Sequence, residues 1–435
     1  MKVPRGFVRL GLLAVALAAA GACTRNNPNE LIKTGGTECT GTKGSSSSSG
    51  GKTSSSSGGK TSSSTSGSTT GVTGSTSSSG TGGGGGAGAV AMSPVLEARV
   101  LDYNEALRTA SFKLVGNAPT LQATLDLKSA ANQAVAYGKA IDAMIADPRF
   151  ASRMIAFWQN TMRQGNTSAV SMPDRNAAPT FAARIVFEGL DYRTLFTASM
   201  NTCPTFDGTM FHDGSCTNGP ITAGILTDAG IQFQYYSNLA MRRNRFFQEV
   251  FACAAQPAEL TAHPVPKGAG SYTSPWPFES IAGMDNGGRV DFHDTSSVVC
   301  ANCHSTSNHR APLFANFDAN GAYQTTIQVH IPITGTPLAQ MSDWLPMGEG
   351  TAWKFGVPAA DIGELGKAMA NDTEVQNCAV ARMWNYVMSK GDIVNDAADV
   401  PTDVLQSYIT QFTTNGFNLR DVLRAMLVSP DFVRF

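Results

Sequence analysis

The chain has 435 residues, 42% of them hydrophobic and 15% charged, with a formal net charge of −1. No basic run marks a nucleic-acid partner, and no apolar run is long enough to span a bilayer. Eight cysteines fit an oxidising compartment.

The N-terminus reads as an export signal. Lys2, Arg5 and Arg9 form a positive start, and Leu10 to Ala20 is an apolar stretch too short to cross a membrane. Ala20-Gly21-Ala22-Cys23 then brings small residues up to a cysteine, as in a bacterial lipobox, where Cys23 becomes the lipid-bearing N-terminus. An ordinary signal peptide cut near a chance cysteine is the simpler alternative. Thr24, not Asp, follows Cys23, which by analogy with lipoprotein sorting favours the outer membrane of a Gram-negative cell envelope, periplasmic or surface-facing. Segment 1–22 holds three basic residues and no acidic one, so 29 basic and 33 acidic residues follow it.

Segment 23–92 is rich in Gly, Ser and Thr, with runs such as Ser45 to Ser49 and Gly83 to Gly86. It has almost nothing apolar to bury and is expected to be a disordered linker, with a root-mean-square reach of about 45 Å. Cys39 lies within it. The remaining chain is long enough for a sizeable core and is read as three parts: an N-terminal helical module at 93–255, a cofactor segment at 256–350 and a C-terminal helical module at 351–435.

Helical spacing dominates this body, so a mainly α fold is expected. Ala140 to Met162 repeats apolar residues at helical intervals, broken at Asp147-Pro148, where one helix should end and the next begin with Pro at its first position. Cys203 and Cys216 bracket a Gly/Asp-rich loop and are candidates to close it as a disulfide. A single helix is expected from about Gly230 to Ala254, carrying Arg242-Arg243 and Phe246-Phe247. Cys253 and Cys378 lie in separate helical patterns and could staple them. Asp285 to Asp294 is acidic, but its spacing is not that of a calcium loop, and it reads as a solvated turn.

Cys300-Ala301-Asn302-Cys303-His304 spells C-x-x-C-H, the attachment pattern for a c-type haem. Two thiols add across the two vinyl groups, and the two-residue gap lets both sulfurs reach one porphyrin edge. His304 then supplies the proximal axial nitrogen. The alternatives are a disulfide or half of a zinc site, but no second C-x-x-C exists to complete a four-cysteine zinc site. One covalent haem c is therefore expected. Its attachment takes place outside the cytoplasm, in agreement with the export signal.

After the motif, Ala311 to Tyr323 is apolar and aromatic and then turns. It could wall a porphyrin or pack the core, and the residues favour neither. Thr325 to Pro332 alternates like one arm of a hairpin. Met347 sits in the Gly/Pro-bounded loop Leu345 to Gly350, well placed as the distal iron ligand. Met341, His330, His309 and His293 are the other candidates, although His309 follows His304 by only five residues. His212 and His263 read as loop residues. Thr373 is the expected N-cap of a helix from Glu374 to Ser389, and Asn418 that of a last amphipathic helix bearing Leu419, Val422, Leu423, Met426 and Leu427.

The run from Cys300 to Tyr323 resembles the C-x-x-C-H, F-x-x-F-D-x-x-G-x-Y/W pattern of large secreted c-type cytochrome-like proteins of planctomycetes and myxobacteria, mostly of unknown function. Ala106 to Thr120 with Asp147 to Phe150 and Trp158, Gly189 to Ala198, Gly224 to Thr227, Arg242-Arg243 with Cys253, Cys378 with Tyr386, and Leu427 to Phe432 resemble further parts of that family in the same order. The resemblance implies helical modules flanking a haem segment. It departs after His304: the family's Asp-Pro-x-Gly-Phe is replaced by Asn308-His309-Arg310-Ala311-Pro312, which adds a histidine beside the haem site.

There is no G-x-S-x-G, no H-E-x-x-H and no phosphate loop. The leading expectation is a lipid-anchored electron carrier serving a redox partner protein in the cell envelope. Its rivals are a peroxidase-like or substrate-oxidising haem enzyme and a surface binding protein with structural haem.

Overall fold

The computed structural model describes residues 98–165, 172–255, 304, 306–332, 335–345 and 348–435, with the backbone of 265–267 and 270–272. All of them belong to the unit Gly88–Phe435. The expected signal and linker lie outside the described residues, as do Cys23, Cys39, His263, His293, Cys300, Cys303 and Met347.

The described residues are mainly helical, and their strands form two-stranded antiparallel pairs. Helix α1 (Tyr103–Leu114) starts at Asp102, whose carboxylate accepts from the Asn104 and Glu105 amides, and it buries Ala106, Leu107, Ala110 and Leu114. Helices α2 (Leu121–Ser129), α3 (Gln133–Ile145) and α4 (Pro148–Met162) follow. The α3–α4 break falls where Asp147-Pro148 predicts it: Asp147 accepts from the Arg149 amide at 2.8 Å, and Pro148 opens the helix. Helix α5 (Ala177–Glu188) packs on α4 and stops at Gly189, φ +67°. A Cβ there would stand 3.1 Å from the Asn418 side chain, so glycine serves both the left-handed turn and the close approach. A short helix α6 (Thr194–Thr197) ends this stretch.

The single helix expected from Gly230 to Ala254 is in fact two, α7 (Ala229–Gln234) and α8 (Met241–Phe251), with Leu239 and Ala240 between them at φ +53°. Distant partners hold the break. The Leu239 amide donates to His330 O, and its carbonyl accepts from Trp344 Nε1, each at 3.0 Å. The expected strand arm at Thr325–Pro332 survives only at its end, where the Ile331 amide donates to Pro337 O at 3.0 Å and the Ala339 amide to Val329 O at 2.9 Å around a single His330–Leu338 bridge. Alternation is present, but the Gln324 and Gln328 amides turn to Asn316 O and Ala315 O, at 2.8 Å each, rather than to a strand in register.

Towards the C-terminus come α9 (Ile362–Ala370), α10 (Thr373–Val387), α11 (Thr402–Thr414), α12 (Leu419–Leu427) and α13 (Pro430–Val433). The cap of α10 is Asp372, not Thr373. Asp372 accepts from the Glu374 amide at 2.8 Å, and its other oxygen is held by Trp353 Nε1 and Lys354 Nζ. Asn418 caps α12 as expected, and Leu419, Val422, Leu423, Met426 and Leu427 are all buried. Helix α12 packs on α3, α5, α10 and α11, so the parts read from sequence as N-terminal and C-terminal modules share one core. Among the described residues there are two disulfides, Cys203–Cys216 and Cys253–Cys378, the latter joining the end of α8 to α10.

Candidate functional site

His304 and residues 306–310 are helical, followed by a 3-10 turn at Ala311–Phe314 that Pro312 helps to start. In this turn residues four apart share a face. Accordingly His304 Nδ1 lies 3.1 Å from Asn308 Oδ1. An amide oxygen can only accept, so Nδ1 carries the proton when the ring is neutral, and Nε2 carries the lone pair. Burial pushes the His304 pKa below its ordinary value, against the opposing effect of its hydrogen bond to Asn308 Oδ1. The result at neutral pH is an uncharged imidazole of fixed orientation, which is what a metal ligand has to be.

The rest of the turn is tied to three elements. His309 is buried, with Nδ1 3.1 Å from Gly350 O and Nε2 3.3 Å from Glu349 Oε2, so it joins the turn to the loop that follows Met347. Burial lowers its pKa, opposed by Gly350 O and the Glu349 charge. Arg310 donates to Gln248 of α8 and, at 3.3 Å, to Thr306 Oγ1, and its guanidinium sits 4.8 Å over the Trp353 ring.

The aromatic run after the turn packs the core. Phe314 stacks on Phe247 of α8, centroids 5.0 Å apart and planes at 6°, and both it and Phe317 are buried. Arg243, fully buried on α8, fixes the run's backbone. It donates to Phe314 O at 3.0 Å, Phe317 O at 2.7 Å and Asp318 O at 2.7 Å, and twice to Gln232 O of α7. Burial lowers the Arg243 pKa to about 10, which still leaves it charged at neutral pH. Asp318 closes the following turn by accepting from the Asn320 and Ala322 amides. Gly321, φ +78°, is needed because a Cβ there would lie 2.2 Å from Ala229 O. Tyr323 meets Phe317 edge-on at 5.7 Å. The F-x-x-F-D-x-x-G-x-Y spacing thus describes a core-packed loop clamped by one arginine.

The remaining candidates are scattered. His330 Nδ1 faces Thr336 O at 2.6 Å. Met341 begins a 3-10 turn and is 47% exposed. His212 pairs with Asp207 at 2.7 Å on an exposed turn. Sequence reading missed the roles of Asn308 and Arg243. The i+4 spacing from His304 was the available signal for Asn308; for Arg243 the sequence shows the arginine-rich helix and the aromatic motif, but not that one grips the other.

Among the described residues no three His, Cys, Asp or Glu side chains converge as a metal site. A porphyrin asks less of the protein, since it brings four nitrogens of its own. The donor chemistry at His304 fits such a group: one neutral imidazole, held through Nδ1, beside a C-x-x-C in sequence. Comparison of the chain with family models, curated proteins and solved structures finds no match.

Proposed function

We propose that this chain is a mono-haem c-type cytochrome of the bacterial cell envelope, tethered by a lipid on Cys23 and passing single electrons to a redox partner protein. The observation that carries the reading is the C-x-x-C-H motif whose histidine is a neutral imidazole aligned by Asn308. Cys300 and Cys303 would hold the group through thioether bonds. His304 Nε2 would ligate its iron, with Asn308 holding the ring through Nδ1. Haem, when bound, supplies reversible one-electron iron chemistry. Met347 is the proposed distal ligand, on the strength of its place in a Gly/Pro-bounded loop. His309 joins the turn of His304 to the Glu349-Gly350 end of that loop.

A second reading is a haem enzyme. It is motivated by the bulk of the body, which far exceeds what holding one haem demands. The ferric absorption spectrum of protein made with a c-haem maturation system separates the two. A carrier gives six-coordinate low-spin iron with a sulfur-to-iron charge-transfer band that Met347→Ala abolishes. Five-coordinate high-spin iron in the wild type would favour the enzyme.

A further inference from the structure

A cleft of about 680 Å³ opens between α1, α4 and the C-terminal end of α10 with the loop after it, within the size range of small-molecule sites. It is lined by residues outside the proposed haem site. Its cations are unusual in their pairing. Lys113 is half-buried, and its ammonium donates to Tyr386 O at 3.0 Å and to Ser389 Oγ, both uncharged. Arg153 lies beside it, its Nε donating to Lys113 O at 3.4 Å. Lys390, just after α10, lines the same cleft. None of these three pairs with a carboxylate among the described residues. The acid that lines the cleft, Asp392, is committed to buried Arg382 at 2.5 Å.

Burial, and after it the like charge of Arg153, pushes the Lys113 pKa down, since two cations on a partly dry wall repel one another. A fold gains nothing from this unless an anion joins them. Beside the cations stands an aromatic wall. Phe157 and Tyr386 meet edge-on at 5.1 Å, Lys113 Nζ sits 5.8 Å from the Tyr386 centroid, and Phe112 is 45% exposed at the rim. Such faces accept a flat apolar body against the cations. Asn160 and Asn385 add amide groups to the lining.

We infer that this cleft binds a small organic anion, its carboxylate or phosphate group held by Lys113, Arg153 and Lys390 and its ring packed on Phe157 and Tyr386. The inference does not depend on the haem reading.

Isothermal titration of the full chain with phenyl phosphate, benzoate and inorganic phosphate tests it. At least one of the two ring-bearing anions should bind saturably at one per chain, tenfold or more tighter than inorganic phosphate, and the stronger of them identifies the head group. Arg153→Met should weaken that binding at least tenfold. Arg153 is exposed and bonds Lys113 O at 3.4 Å and the Tyr386 side chain, so this variant should melt close to the wild type. Lys390→Met, also exposed, should weaken it several-fold. Three results would each overturn the inference: no saturable binding of either ring-bearing anion, equal affinity for inorganic phosphate, or wild-type affinity in Arg153→Met.

Discussion

Replacing Arg243 by Met keeps most of the apolar stem and removes the guanidinium that grips the loop after the proposed haem turn. The cost can be worked from the structure. Five hydrogen bonds run from this side chain to four carbonyls, those of Gln232, Phe314, Phe317 and Asp318. Charge-assisted bonds contribute about 1.5 kcal/mol each at the low end, so about 7 kcal/mol is lost. Against that, the fall of the Arg243 pKa from 12.5 to about 10 measures a charge-burial cost of about 3 kcal/mol that Met no longer incurs. The net destabilisation is about 4 kcal/mol, or about 6 °C in Tm for a body of this size. Arg243→Lys should recover little of it, because a point ammonium with three donors cannot span four carbonyls in a fork. Chemical and thermal denaturation of both variants beside the wild type would check this. A loss below about 1 kcal/mol for Met, or wild-type stability for Lys, would refute the clamp.

The Cys253–Cys378 bond closes 125 residues, including the C-x-x-C-H motif, whereas Cys203–Cys216 closes 13. Loop-closure entropy assigns them about 5 and about 3 kcal/mol, so the Cys253→Ser/Cys378→Ser variant should unfold at lower urea than Cys203→Ser/Cys216→Ser, and the reverse order would contradict this account. Asp228 is buried, and that burial, with the Asp174 charge nearby, raises its pKa from 3.8 to about 7. The folded state therefore binds this proton more tightly than the unfolded chain, and stability should fall as pH rises from about 4 to about 7, by up to about 4 kcal/mol, then level off. Asp228→Asn should be more stable than wild type at pH 8 and lack that slope in denaturation series; a slope unchanged in Asn would assign it to other groups. Cys23→Ser should move the protein from membrane pellets to the soluble fraction with its covalent haem retained, and continued pelleting would argue against a lipid tether.

How far the sequence could be read follows from the range of the forces involved. Asp147-Pro148 and the Asn418 cap act within three residues, and both elements start where these residues stand. Asp372 and Thr373 are adjacent cap-forming residues, and the choice between them rests on Trp353 and Lys354, about twenty residues away. The break before α8 depends on His330 and Trp344, about a hundred residues on, against a strong local helical pattern. The same holds for the site. The C-x-x-C-H motif is local and could be read directly; the Arg243 clamp joins positions more than seventy residues apart. Phe314 and Phe317 read equally well as haem wall or core, because apolar residues look the same in sequence whichever surface they cover. The structure sets both against α8.

The central claim is covalent haem at Cys300 and Cys303, and one measurement bears on it most directly. The full chain and its Cys300→Ala/Cys303→Ala variant are produced with a c-haem maturation system, extracted with acid acetone, and assayed for haem remaining on the protein. One haem per chain in the wild type and none in the variant is the predicted result. A wild type that loses all its haem to the solvent, or a variant that keeps it, would contradict the account.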